Sequence, residues 1–220
     1  MAEERRYAER REFGPAEMPN FGTPSKPRPA ASIVLLRRGG RHAQRALEVL
    51  MVKRSAEARF MPSVWVFPGG SVDHADGADE SGCRACAVRE LAEEAGIELP
   101  VEEELVLFAR WITPEVVSTR FDARFYLALA PAHTPPRADG NETVDARWFE
   151  PAAALEAADR GEISLAFPTI TQLGLLAEHP TSDAALAAYR EATVEPILPV
   201  VVGSRENARV LLPDDPDYPR

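Results

Sequence analysis

The sequence predicts an α/β protein in which a mixed β-sheet lies between helices. Two observations lead there. Strand-like apolar runs and helix-like stretches interleave along the chain instead of segregating into separate halves. The chain is 220 residues long and 45% hydrophobic, which suits one domain with a sizeable core and short extensions. No internal repeat interrupts this order.

The elements follow in sequence. Residues 1–30 are charged and then Pro-rich, with Pro15, Pro19, Pro24, Pro27 and Pro29, and read as an N-terminal arm. Residues 31–203 form the domain, and residues 204–220 a loose tail. Ala31 to Leu36 is a buried strand, Arg37 to Arg45 a hairpin-like loop, and Leu47 to Lys53 a second strand. Val64 to Phe67 is a third, short strand that breaks into a turn at Gly69-Gly70. A helix follows from about Gly82 to Ala95, with Ser81 or Asp79 to cap its start. Leu105 to Ile112, Phe121 to Leu129 and Val144 to Phe149 are strands. Pro131 to Gly140 is a Pro-rich loop. Pro151 to Ala158 begins a helix with proline where helices accept it. Pro168 to Ala177 and Ser182 to Tyr189 are further helices, and Pro196 to Val202 is extended.

Charge and composition remove some functions. A formal net charge of −10 argues against a general nucleic-acid binder, which presents a basic face. It leaves anionic substrates open, because bound cations reverse a local field. No apolar run approaches the ~20 residues that cross a bilayer. Met1 to Arg11 has neither the apolar core of a secretory signal nor the pattern of a transit peptide, so a cytoplasmic protein is expected. The two cysteines, Cys83 and Cys86, fall in the expected helix without a second pair. Buried reduced thiols fit them better than a redox or zinc site.

The most informative stretch is Arg89-Glu90-Leu91-Ala92-Glu93-Glu94-Ala95-Gly96-Ile97. At ~100° per residue, Glu90, Glu93 and Glu94 fall within a sector of roughly 100° and point the same way. Like charges so placed repel and weaken a helix. A divalent cation turns that liability into a site, because hard cations take oxygen ligands. A solvated helix face is the competing reading of any Glu triplet. Here Leu91, Ala92 and Ala95 give the helix a separate apolar side. Gly96 stands where a left-handed turn ends a helix.

At these residues the chain resembles the Nudix hydrolases. Their signature runs glycine, five residues, glutamate, seven residues, then R-E-U-x-E-E-x-G-U with U aliphatic. Arg89 to Ile97 matches the second half at every specified position, and Gly70 resembles the opening glycine. The spacing departs from the pattern: Gly70 lies 19 positions before Arg89 where the signature has 14, an excess of five. Counted back from Arg89, the first signature glutamate falls on Ser81, one position from Glu80. A lengthened loop after F-P-G-G-x-V-D is similar to the branch of peroxisomal coenzyme A diphosphatases. Arg54-Ser55, Arg59 to Ser63, Trp111 to Pro114 and Thr119 to Tyr126 also fit that branch.

The resemblance implies the α/β/α sandwich of the Nudix fold and metal-dependent hydrolysis of a diphosphate. It implies Mg²⁺ or Mn²⁺ held by Glu90, Glu93 and Glu94, with the carbonyl of Gly70 as a further ligand. It implies Arg89 as the residue that orients a helix carboxylate, and a general base from the signature helix itself, where Glu93 and Glu94 stand, or from a later loop, for which Glu142 is the first candidate and Asp139 the second. Arg54 and Arg59 suit bidentate grip on substrate phosphates, with Arg120 and Arg124 as further candidates. The favoured substrate is coenzyme A or acyl-coenzyme A. ADP-ribose, dinucleotides and nucleoside triphosphates stay open, as does a non-catalytic nucleotide-binding module. Small molecules are the expected partners, and analogy admits a homodimer.

Overall fold

The computed structural model describes residues 24–38, 47–58, 60–77, 79–100, 103–203 and 209–219. The sheet is built on β1 (Arg28–Arg38), which runs parallel to β6 (Phe121–Leu129) along its length. The outer neighbours of β6 are β5 (Val106–Ile112), antiparallel, and then the short parallel β8 (Pro196–Ile197). On its other side β1 pairs with β2 (Leu47–Arg54), whose far edge carries β7 (Thr143–Phe149).

The pairing of β1 with β2 covers only residues 36–38 and 47–49, after which the two strands part. Two short strands fill the gap. The first, β3 (Trp65–Val66), lies along β2, and the second, β4 (Gly69–Ser71), lies along β1. The chain crosses from one to the other at Phe67-Pro68. That opening places the site.

Alternation along β1 and β2 makes the three layers, since neighbouring strand residues face opposite sides. Ala31, Ile33, Leu35, Leu50 and Val52 face α1 (Glu80–Ala95), whose Cys83, Cys86, Ala87 and Leu91 pack on them. Val34, Leu36, Val49 and Met51 face the other side. There α2 (Pro151–Asp159), α3 (Phe167–Ala177) and α4 (Ser182–Tyr189) supply Leu155, Leu173, Leu176 and Leu186. The mixed sheet between helices is therefore the architecture the sequence predicts. Cys83 and Cys86 are free and buried.

Three expectations change. The glycine turn at residues 69–70 is instead a strand, because Gly69 lies so close to Ala31 and Ser32 of β1 that no side chain fits. The first strand begins at Arg28, inside the expected arm, since Arg28 to Ala30 continue the ladder with Phe121 to Ala123. The remainder of the arm up to residue 23, and Gly39 to Arg45 of the expected hairpin loop, lie outside the described residues. Residues 209–219 of the expected tail are tied down: β10 (Arg209–Leu211) pairs with β9 (Val200–Val202), and the Tyr218 hydroxyl donates to the Leu198 carbonyl at 2.7 Å.

Candidate active site

Helix α1 starts with Asp79, whose carboxylate accepts from the Gly82 amide at 3.0 Å. It ends at Gly96, at φ 64°, whose amide returns to the Ala92 carbonyl. Between these caps the helix lies over β4. The Gly69 amide donates to Glu94 Oε2 at 2.9 Å. A Cβ on Gly70 would overlap the Glu90 carboxylate. Gly70 lets the acidic helix settle onto the strand, a close approach only glycine permits.

Arg89 organises the carboxylates. Its Nη1 donates to Glu90 Oε1 at 2.8 Å and to Glu93 Oε2 at 2.9 Å, which gathers both acids at one nitrogen. Its Nε and Nη2 meet the two oxygens of Asp76 at 3.1 and 2.9 Å. Asp76 first, then Glu90, holds the guanidinium charge more firmly than usual. The same Arg89 contact holds the Asp76 carboxyl below its ordinary range.

Asp76 is the residue that the sequence reading overlooks. It stands six positions after Gly70, where the signature has its first glutamate. Counting forward from the glycine finds it; counting back from Arg89 does not, because the five extra residues lie between Asp76 and Arg89. Glu80 does other work. Its carboxylate accepts from the Tyr126 hydroxyl at 2.8 Å and pairs with Arg84 at 3.3 Å and Arg124 at 3.2 Å, nearly three helical turns before Glu90. This engages Arg124 away from the acidic ridge.

The three glutamates do not share one environment. Glu94 is 3% exposed, whereas the Glu93 side chain is 58% exposed. Burial pushes Glu94 up to about 7, opposed by the Gly69 amide and reinforced by the charge of Glu90. Burial also raises Glu90, against the pull of Arg89. Glu142 adds to both shifts, and Arg54 lowers Glu94, so both residues act on the same field. Glu90, Glu94, Glu142 and Arg54 line one cavity of about 400 Å³. Arg54 is also held by its Nε, which donates to the Phe60 carbonyl at 3.0 Å.

Two expected residues lie elsewhere. Arg120 is 7% exposed, and its guanidinium donates to the carbonyls of Thr113 (3.0 Å) and Ser25 (2.7 Å). It braces the turn before β6 and does not line the cavity. Asp139 anchors its own loop, accepting from the amides of Asn141, Glu142 and Thr143 and from the Thr143 hydroxyl. That leaves it without the freedom of a general base. Arg59 lies outside the described residues.

Among the described residues, no three His, Cys, Asp or Glu side chains already converge as a metal cluster. Arg89 takes an oxygen of Glu90 and one of Glu93. The Gly70 carbonyl faces the Cys86 thiol at 3.6 Å. The donor chemistry nevertheless fits a hard divalent ion. The groups are oxygens, two of the carboxylates are largely buried, and burial, reinforced by neighbouring glutamate charges, raises the pKa of each.

Comparison with known proteins identifies the fold and the family. A Caenorhabditis elegans protein with the provisional name nudix hydrolase 7 is 29% identical over 185 residues, 69% of this chain. The aligned part spans 61% of that protein's length. The crystal structure of a NUDIX hydrolase from Alicyclobacillus acidocaldarius shares 25% identity at a TM-score of 0.68, covering 77% of this chain and 99% of that one. A MutT NUDIX hydrolase from Burkholderia pseudomallei shares the fold at a TM-score of 0.51, with 22% identity over 68% of this chain and 97% of its own. The model of the NUDIX domain matches residues 26–167, which takes in the parted strands, the glycine strand and the whole acidic helix. This chain belongs to the Nudix family.

Proposed function

We propose that the chain is a metal-dependent diphosphatase, acting on a nucleoside-diphosphate-linked substrate. Coenzyme A or acyl-coenzyme A is favoured on the strength of the lengthened loop and the residues around it. One observation carries the reading: Glu90 and Glu94 of α1 sit on the glycine strand, at Gly70 and Gly69, and both face a cavity of substrate size.

Glu90, Glu93 and Glu94, with the Gly70 carbonyl, would hold Mg²⁺ or Mn²⁺. When bound, such ions neutralise phosphoryl oxygens and lower the pKa of a water. The chain's own residues supply the rest. Arg89 and Asp76 fix the ridge. Arg54 faces the carboxylate end as the cation available to a substrate phosphate. Glu142, exposed at the cavity, has the access that a general base requires. Apolar walls limit water around these charges.

The test is turnover by the purified chain with Mg²⁺ or Mn²⁺ across coenzyme A, acyl-coenzyme A, ADP-ribose, dinucleotides and nucleoside triphosphates. Coenzyme A should give 4′-phosphopantetheine and adenosine 3′,5′-bisphosphate. Glu93→Gln and Glu94→Gln should each lose turnover; wild-type rates from both would refute the reading. A non-catalytic nucleotide-binding module is the second reading, favoured by the hold of Arg89 on two of the carboxylates. Calorimetric affinity without product after long incubation with metal would select it.

A further inference from the structure

Much of the cavity lies away from the carboxylates, and its shape is set by the sheet. Ser71, Ala30, Ala123 and Trp111 stand opposite one another on β4, β1, β6 and β5. Residues paired in this way share one face. Three strand spacings of ~4.8 Å separate the first from the last, so a floor of small side chains runs ~14 Å from the glycine strand to Trp111. Trp111 is buried and packs edge-on against Phe167, with centroids 5.9 Å apart, which closes the far end.

The walls are apolar. Phe60 and Phe121 meet edge-to-face at 5.8 Å on one side. Met61, Pro199 and Val210 also line the space. Pro199 and Val210 lie beyond residues 26–167, so the paired C-terminal strands add a wall outside the family match. The polar groups of the trough are scattered: the hydroxyls of Ser32, Ser71, Thr113 and Thr169, and the buried Trp111 Nε1–H, which has no partner among the described residues. The Thr113 hydroxyl is already engaged by the Phe121 amide at 3.0 Å, and Thr169 is buried. A nucleobase carries several edge donors and acceptors, and burying them unmatched is costly.

We propose that this trough is a specificity subsite for an apolar arm attached to the substrate's diphosphate, and that the nucleobase binds outside it. The inference rests on the diphosphatase reading for the position of the phosphates. It adds the chemical class of the group on one side of them: alkyl or acyl, not a base.

The experiment uses adenosine 5′-diphosphate esterified with methyl, butyl or octyl alcohol. Affinity is measured by calorimetry with Mg²⁺ present, and turnover is measured separately. A buried CH₂ strengthens binding about 4-fold. The octyl ester should therefore bind at least ~30-fold more tightly than the methyl ester, even with partial burial. Ala123→Leu, which raises the floor, should cut that octyl-to-methyl ratio by ~10-fold or more, the effect of displacing only two such groups. Met61→Ala at the half-buried rim should lower it less, and circular dichroism checks that each variant folds. Equal affinity for the three esters overturns the proposal. So does a length dependence that both variants leave intact. Binding that follows chain length without product supports the subsite while refuting the hydrolase reading.

Discussion

Arg89 and Asp76 meet in a two-point ion pair across 13 positions of sequence, with Nε and Nη2 on the two carboxylate oxygens at 3.1 and 2.9 Å. The remaining nitrogen, Nη1, is aimed at Glu90 and Glu93. Asp76 therefore acts on the acidic ridge through Arg89. Asp76→Ala should free the guanidinium, leaving the helix itself intact. Loss of a residue that orients metal-binding groups costs ~10–100-fold in affinity or activity. We expect a loss of that size in kcat, accompanied by a higher Mn²⁺ concentration at half-activation. Asp76→Glu should recover part of it. Unchanged metal dependence in Asp76→Ala would show that Arg89 needs no such anchor.

Glu94 gives the metal-free protein a particular response to pH. Its folded pKa of about 7 lies above the 4.5 of the free side chain, mainly because burial penalises the charge. Between those values the folded state binds more protons than the unfolded state, so stability falls as pH rises. The contribution is on the order of 3 kcal/mol once pH exceeds 7. With chelator present, Glu94→Gln should gain Tm relative to wild type on going from pH 5 to pH 8, since its amide carries no such charge. A difference in Tm that stays constant over that range would contradict the buried-carboxylate account. Mg²⁺ should raise the wild-type Tm most at the high-pH end, where the carboxylate is ionised.

Local chemistry explains how much could be read in advance. Helix α4 falls at Ser182–Tyr189 and β6 at Phe121–Leu129, both as the sequence predicts, because caps and apolar runs mark their ends. Gly96 likewise takes the left-handed turn expected of it. The fold class follows from element order. Long-range choices were not legible. Nothing local says that Gly69–Ser71 becomes a strand, since the cause is the backbone of β1 beside it. Helical spacing placed Glu90, Glu93 and Glu94 on one side but could not foresee that tertiary packing buries one and exposes another. Arg120 looked free for phosphate; its actual acceptors are backbone carbonyls 7 and 95 positions away.

Glu142 and Asp139 are separable by experiment. Glu142 is exposed at the cavity, whereas Asp139 spends both oxygens on its own loop. The Thr143 hydroxyl, 2.9 Å from Asp139 Oδ1, lies 2.8 Å from the Glu94 carbonyl and shares its one proton between them. Glu142→Gln should therefore lower kcat by ~10²–10⁴-fold, the range for removing a general base, with Tm little changed. Asp139→Ala should do the reverse: it leaves amides without acceptors and costs ~1–3 kcal/mol of stability. Full activity in Glu142→Gln would move the base elsewhere, with the α1 carboxylates next to be examined.

Gln172 offers a prediction about stability that leaves the chemistry alone. It lies on α3 beside Leu173, is 0% exposed, and has no hydrogen-bond partner for either amide atom among the described residues. Desolvating an amide without replacing its hydrogen bonds costs ~1–3 kcal/mol. Methionine has a similar length and an adaptable shape, and carries no amide to satisfy. Gln172→Met should therefore stabilise the fold by ~1–2 kcal/mol, and Tm should rise by ~2–4 °C for each kcal/mol in a chain of this size. Because Gln172 does not line the cavity, kcat and KM should stay at wild-type values. A fall in Tm would mean that the amide is satisfied in the working protein, and a shift in KM that α3 is coupled to the substrate site.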